Sequence, residues 1–183
     1  MSFPDFSRLQ YIREVYDKLA NVYGSLYLEE SIAKYVAVLE NIIQNIDSNC
    51  RYLVIVDLGC GTGVGLGLLL SCRLFSYVVG IDISIESLRK IRGFLRKRFD
   101  IDVVQCIMEM LPFRSQCFDI VISVSSLDTD CKVNYTLQIR ESTRVCRFLQ
   151  VHVPVRGNIQ VIRHVIEKGF KFDLQKAKLT GYG

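Results

Sequence analysis

Asp57 is followed at alternate positions by Gly59, Gly61 and Gly63, and a second acid, Asp82, stands 19 residues after the last of these glycines. Glycines let a backbone turn tightly and come close to a ligand. An acid about 20 residues past such a loop can accept hydrogen bonds from both hydroxyls of a ribose. The pattern points to a nucleoside-bearing ligand held by main-chain groups and carboxylates. Asp82 has a second reading as the N-cap of a following helix, a task Ser84 can share.

Both acids end short apolar runs, Val54-Ile55-Val56 and Val78-Val79-Gly80-Ile81. Such runs read as buried parallel strands. Ligands bind at the carboxyl ends of strands in open α/β sheets, and the acids sit there. Around them the periods alternate. Strands are expected at 52–57, 77–82, 101–106, 118–124, 147–154 and 170–179. Helices are expected at 63–75, 84–98, 132–146 and 157–168. This alternation predicts a doubly wound, mostly parallel sheet. Ahead of it, apolar residues at helical spacing predict one helix over 5–24, ended by Gly24, and a second over 26–46. The chain reads as a single domain, 1–183, with N-terminal helices (1–48) covering the site of an α/β core (50–183).

Other ligand chemistries fit less well. A dinucleotide loop wants G-x-G-x-x-G, and Val64 stands where the third glycine belongs. No Gly-Lys-Ser/Thr follows to make a phosphate loop. Seven cysteines include no C-x-x-C pair, and there are two histidines, so no zinc site is expected. The cysteines read as buried free thiols. No apolar run reaches the roughly 18 residues of a membrane span. The N-terminus does not have the layout of a signal peptide, so the cytoplasm is the expected address. A net charge of +4 permits an anionic partner without requiring one. Six basic residues between Arg89 and Arg98 could track phosphates, but a solvated helix face is the plainer reading.

Two further segments join the loop. Glu109-Met110-Leu111-Pro112-Phe113 is a stiff apolar turn, and Phe118-Asp119 opens the next strand. With Asp57-Leu58-Gly59-Cys60-Gly61-Thr62-Gly63 and Asp82, they resemble the signature of class I S-adenosylmethionine (SAM) dependent methyltransferases related to the quinone-biosynthesis C-methylases. Tyr16-Asp17-Lys18-Leu19-Ala20-Asn21-Val22-Tyr23 and Glu141-Ser142-Thr143-Arg144-Val145 resemble that family's opening and a late helix. The likeness runs over about residues 11–170.

The resemblance implies a Rossmann-like class I methyltransferase fold, shortened at its C-terminus, and SAM as cofactor. Gly59, Cys60, Gly61 and Gly63 would form the loop that approaches SAM. Asp57 would orient that loop or meet the SAM amine through water. Asp82 would hold the ribose, Ile83 would lie on the adenine, and Met108 and Glu109 would flank it. Ser123 would touch the amino-acid tail. Tyr16, Tyr23 and Lys34 would close the site and meet the SAM carboxylate, or would simply pack and snorkel as helix residues do.

Departures carry expectations too. Ile107 stands where relatives place an acid for the adenine amino group. Cys146-Arg147-Phe148-Leu149 replaces a glycine turn, so strand five should begin early. Only one strand is expected after the last helix, in place of the family's usual hairpin, giving a six-stranded sheet or one without the substrate-side lid. No Asn-Pro-Pro-Tyr follows strand four, which argues against that route of amino-group methylation. Asp128 and Asp130 could orient a substrate or be polar loop residues. His152 reads as a core residue and a remote candidate base, and His164 as a helix residue. A methyl group on a sulfonium needs alignment more than a base, so no catalytic residue is assigned.

Three functions stand open. The first is methyl transfer to an RNA base, a protein or a small molecule. The second is a catalytically silent SAM-binding or regulatory module, and the third a nicotinamide-linked enzyme. A homodimer mate or a small activator subunit is expected to cover the site.

Overall fold

The computed structural model describes residues 4–46, 52–95, 98–126, 135–153, 160–165 and 177–178. Its core is a sheet in the order β3-β2-β1-β4-β5-β6-β7. The strands β1 (Leu53–Leu58), β2 (Phe75–Asp82), β3 (Ile101–Gln105), β4 (Phe118–Val124) and β5 (Cys146–Val153) all run parallel. Every residue of β4 is buried, as befits a central strand covered on both faces. The order reverses between β1 and β4, which opens a crevice at their carboxyl ends.

Alternate residues serve opposite faces. Ile55, Val78, Ile120, Ile122 and Val151 pack under α3 (Leu28–Asn45), α4 (Val64–Ser71) and α5 (Ile85–Leu95). Val56, Val79, Ile81 and Val121 face the other way, toward the Leu111–Phe113 turn and Val145 of α6 (Tyr135–Val145). Ile122 is fully buried; truncating such a side chain to alanine costs about 2–5 kcal/mol.

The N-terminal region corrects its expected outline. The helix expected over 5–24 ends at Leu19 as α1 (Phe6–Leu19), capped at its start by Asp5, which accepts from Arg8 N at 3.1 Å. Gly24 does not end it. Gly24 lies inside a separate single turn, α2 (Tyr23–Leu26), where a Cβ would come within 2.8 Å of Thr62 Oγ1. A glycine there lets α2 settle onto the loop after β1.

The C-terminal expectation also changes. Within the helix expected over 157–168, the described residues 160–165 are not helical. Gln160–Val165 is strand β6, antiparallel to β5, and Ala177–Lys178 is β7, antiparallel to β6. Ile162 and Val165 fit a helical period, but the β-branched run gains backbone partners on the open edge of β5. Among the described residues the sheet therefore has seven strands, the last two antiparallel to their neighbours. His164 is on β6, where it pairs with Gln150, and not on a helix. β5 does begin early, at Cys146, directly after α6 ends.

Candidate functional site

The crevice at the switch point opens into a cleft of about 570 Å³. Pockets of this size hold cofactor-sized ligands. Its floor is the loop after β1, whose Gly59, Gly61 and Gly63 have φ of 80°, 55° and 87°. A Cβ on Gly59 would sit 2.3 Å from Ser126 Cβ, whereas one on Gly61 would meet nothing within 4 Å. Gly59 is thus required by packing, and Gly61 keeps open the approach to the cleft.

Asp82 fastens this loop. Its Oδ2 accepts from Gly61 N and its Oδ1 from Ser84 N, each at 2.8 Å. Gly59 N and Cys60 N both donate to Ile81 O at 2.8 Å. Burial pushes the Asp82 carboxyl up, while the amides of Ser84 and Gly61 pull it back. Asp82 thus borders the cleft while bracing the first turn of α5. Ser84 is the cap proper, accepting from Ser87 N at 3.1 Å. Asp17 of α1 reinforces it, accepting from Ser84 Oγ at 2.6 Å and from Glu86 N at 3.2 Å. Asp17 therefore anchors α1 to α5.

Asp57 stands beneath the loop, fully buried. The Tyr35 hydroxyl of α3 donates to its Oδ2 at 2.7 Å, and its Oδ1 has no partner among the described residues. Burial raises its carboxyl to about 7; the Tyr35 hydrogen bond pulls down and Asp82 pushes further up. The Tyr35 ring lies where a Cβ on Gly65 would fall, at 1.9 Å, so α3 and α4 meet with glycine between them.

Ser123 and Lys34 also stand behind the cleft wall. Ser126 Oγ donates to Leu58 O at 2.5 Å, which makes Ser123 Oγ the donor in its 2.6 Å contact with Ser126. Lys34 is 3% exposed, donates to Ser125 Oγ at 2.7 Å and pairs with Glu30 at 2.5 Å. Ser125, at φ 56°, lines the cleft together with Ser126. Lys34 thus ties α3 to the end of β4.

The far wall is Ile83, Ile107, Met108 and Glu109. Gln138 of α6 donates to Glu109 Oε1 at 2.7 Å. Burial lifts the Glu109 carboxyl, and the Gln138 bond moderates the shift. Behind this wall Arg144 holds the turn in place. Its guanidinium donates to Phe113 O at 2.7 Å, to Leu111 O at 2.9 Å and to both oxygens of Glu141, which in turn accepts from Leu111 N at 3.0 Å.

The near wall is aromatic. Tyr16 and Tyr23 meet edge to face at 5.9 Å, and Tyr23 and Tyr27 are 4.8 Å apart. Leu9 and Ile12 continue this wall along α1. Desolvation first, then Tyr16, raises the Tyr23 hydroxyl to about 12.

Of the residues singled out from the sequence, Gly59, Cys60, Gly61, Asp82, Ile83, Met108, Glu109, Tyr16 and Tyr23 line one cleft. Asp57, Gly63, Ser123 and Lys34 support it from behind. His152 is buried in β5 against Gln150, 3.1 Å away. Asp128 and Asp130 lie outside the described residues. Cys60, Cys72, Cys106, Cys117 and Cys146 are free thiols. Among the described residues, no helix is long and apolar enough to cross a membrane.

Comparison with known proteins decides the family. Residues 55–147, just over half the chain, match the methyltransferase-domain family. The chain belongs to that family. Its fold is the class I SAM-dependent methyltransferase fold, and SAM is the cofactor this membership indicates. The methyltransferase domain is similar to a Haloferax volcanii protein assigned as a methyltransferase and solved in complex with the Trm112 methyltransferase activator. The identity is 18% over 76% of this chain and 59% of that one, with a TM-score of 0.62. It is also similar to a Methanococcus maripaludis protein assigned as a SAM-dependent methyltransferase (20% identity, 75% of this chain, 63% of that one, TM-score 0.60). An Aquifex aeolicus SAM-dependent methyltransferase shares 15% identity over 63% of this chain and 62% of its own, with a TM-score of 0.52. This chain therefore spans about three fifths of each of these proteins. At such identities the likeness speaks to the fold. A search of curated proteins finds no match.

The residues present suit the cofactor. A loop with left-handed glycines presents main-chain groups, a carboxylate borders the cleft at the end of β2, and apolar side chains suit an adenine. Tyr35, Ser126 and Gln138 were given no site role from the sequence, and Asp17 was read only as part of the family-like opening segment. Tyr35 carried a signal of its own: a tyrosine on a buried helix face needs a partner for its hydroxyl.

Proposed function

We propose that this methyltransferase domain transfers the methyl group of SAM to an acceptor that enters along the tyrosine wall of α1 and α2. One observation carries this reading. The glycine loop with Asp82 and the wall of Tyr16, Tyr23 and Tyr27 border a single cleft. Cofactor and acceptor would meet there.

Bound SAM supplies a methyl group already activated on a sulfonium. The chain's own part is to hold, align and dry the site. Gly61 and Asp82 would position the nucleoside, and Ser125 and Ser126 would lie near the amino-acid tail. The apolar side chains of α1 would exclude water. Tyr23 and Cys106, both raised to about 12, are not bases near neutral pH. The acceptor would supply the attacking lone pair: a base nitrogen in RNA, a protein side chain or a small molecule.

The test is transfer of a tritiated methyl group from SAM to separate RNA, protein and small-molecule fractions, with the Asp82→Ala variant alongside. Label in one fraction, abolished by the variant, is the expected result. Salt-sensitive labelling of RNA would single out a nucleic-acid acceptor. Cofactor binding with no label in any fraction would favour the silent binding module.

The reading extends to a small activator subunit, supported by the Haloferax protein's complex with an activator. Adding such a subunit should raise activity. Full activity in an isolated monomer would contradict this part.

A further inference from the structure

We propose that Gln138, oriented by Glu109, recognises the amino edge of the cofactor's adenine. This rests on the SAM reading above and names the residue that makes the site specific for adenine.

Beyond Asp82 the wall runs through Ile83, Ile107 and Met108, whose side chains offer no hydrogen bond. Glu109 and Gln138 bring polar atoms to the same wall from two separate elements. Each is 4% exposed. Gln138 Nε2 donates to Glu109 Oε1 at 2.7 Å, and a carboxylate oxygen accepts, so the amide nitrogen must face it. That contact fixes the amide. Its carbonyl oxygen, Oε1, is left buried and without a hydrogen-bond partner among the described residues. A native protein rarely leaves such an atom unmet without a reason.

The orphan atom is an acceptor on a residue that borders a nucleoside-sized cleft. It calls for a donor on the ligand. The exocyclic amino group of adenine is a donor, whereas the 6-oxo group of hypoxanthine is an acceptor and would leave two oxygens facing each other. Glu109 is then a positioning residue: it selects the amide orientation that makes Gln138 an acceptor.

The experiment is calorimetric titration of the full chain with S-adenosylhomocysteine and with its deaminated form, S-inosylhomocysteine. The unaltered chain should prefer the adenosyl ligand by roughly tenfold or more, the worth of one buried hydrogen bond lost and one acceptor left unpaired. Gln138→Met should weaken adenosyl binding and leave inosyl binding nearly unchanged, so the preference collapses. Glu109→Gln removes the acceptor that fixes the amide, so the Gln138 side chain can turn and the preference should shrink. Thermal unfolding of each variant without ligand checks that it folds. Should Gln138→Met not fold, the preference of the unaltered chain and its reduction in Glu109→Gln decide. Equal affinity of the unaltered chain for both ligands, or an undiminished preference in Gln138→Met, overturns the proposal and leaves the SAM reading standing. Binding of neither ligand overturns both.

Discussion

Tyr35 Oη and Asp57 Oδ2 lie 2.7 Å apart with both side chains buried, so a covering helix and the strand that launches the glycine loop share one hydrogen bond. The hydroxyl is pushed well above its ordinary value by burial and by Asp57, so it stays protonated and donates. Removing it by Tyr35→Phe leaves a buried carboxylate oxygen unmet. A loss of about 1–3 kcal/mol in denaturant unfolding is expected. A loss within error would mean that the bond contributes nothing net.

The same carboxyl makes stability depend on pH. In the fold Asp57 titrates near 7, against an ordinary value of 3.8. The folded chain therefore keeps a proton that the unfolded chain has given up between those values. The stability this contributes is whole below about pH 4 and is lost as pH rises through 7. Asp82 and Glu109, also raised by burial, act in the same direction. Asp57→Asn should flatten the decline between pH 4 and 7 without abolishing it. Unfolding curves at pH 4, 5.5 and 7.5 give the comparison, and an unchanged slope would place the titration elsewhere.

Two neighbouring glycines should fail differently. Gly59→Ala drives a methyl into Ser126 at φ 80°, so both stability and ligand binding should fall. Gly61→Ala meets no atom within 4 Å and bears only the left-handed strain of about 1–2 kcal/mol. It should fold, yet bind cofactor weakly, because its methyl occupies the approach to the cleft. Thermal unfolding and ligand titration of both variants separate the effects. Equal loss of stability in the two would contradict the assignment.

Arg144 supports the cleft without touching it. It holds two carbonyls of the Leu111–Phe113 turn together with Glu141, whose own carboxyl it keeps below the usual range. Arg144→Met should cost about 1–3 kcal/mol of stability. It should also loosen cofactor binding, since that turn leads into Met108 and Glu109. Intact binding in a destabilised variant would show the turn and the wall to be independent.

The parallel core was legible because β1, β2 and β4 are mostly apolar runs with a polar or glycine residue at or just after their ends. The loop and Asp82 were legible because their spacing is local. The last segment was not, since Ile162 and Val165 suit a helix and a strand alike, and only the free edge of β5 decides between them. Nor were the residues that support the site. Ser126 matters because it lies against Gly59, and Asp17 because α1 crosses the start of α5. Both relations span more than 60 residues of sequence. Lys34 was legible as a residue near the site, but its bond to Ser125 joins α3 to β4 and has no local signature.

The most direct measurement is calorimetric titration of the purified chain with SAM, S-adenosylhomocysteine and NAD, with Asp82→Ala in parallel. Micromolar affinity for the two adenosyl ligands corresponds to about −8 kcal/mol. That affinity, weakened at least about tenfold in the variant and absent for NAD, is the predicted result. A folded chain that binds neither adenosyl ligand, or that binds them equally well without the Asp82 carboxylate, would contradict the account.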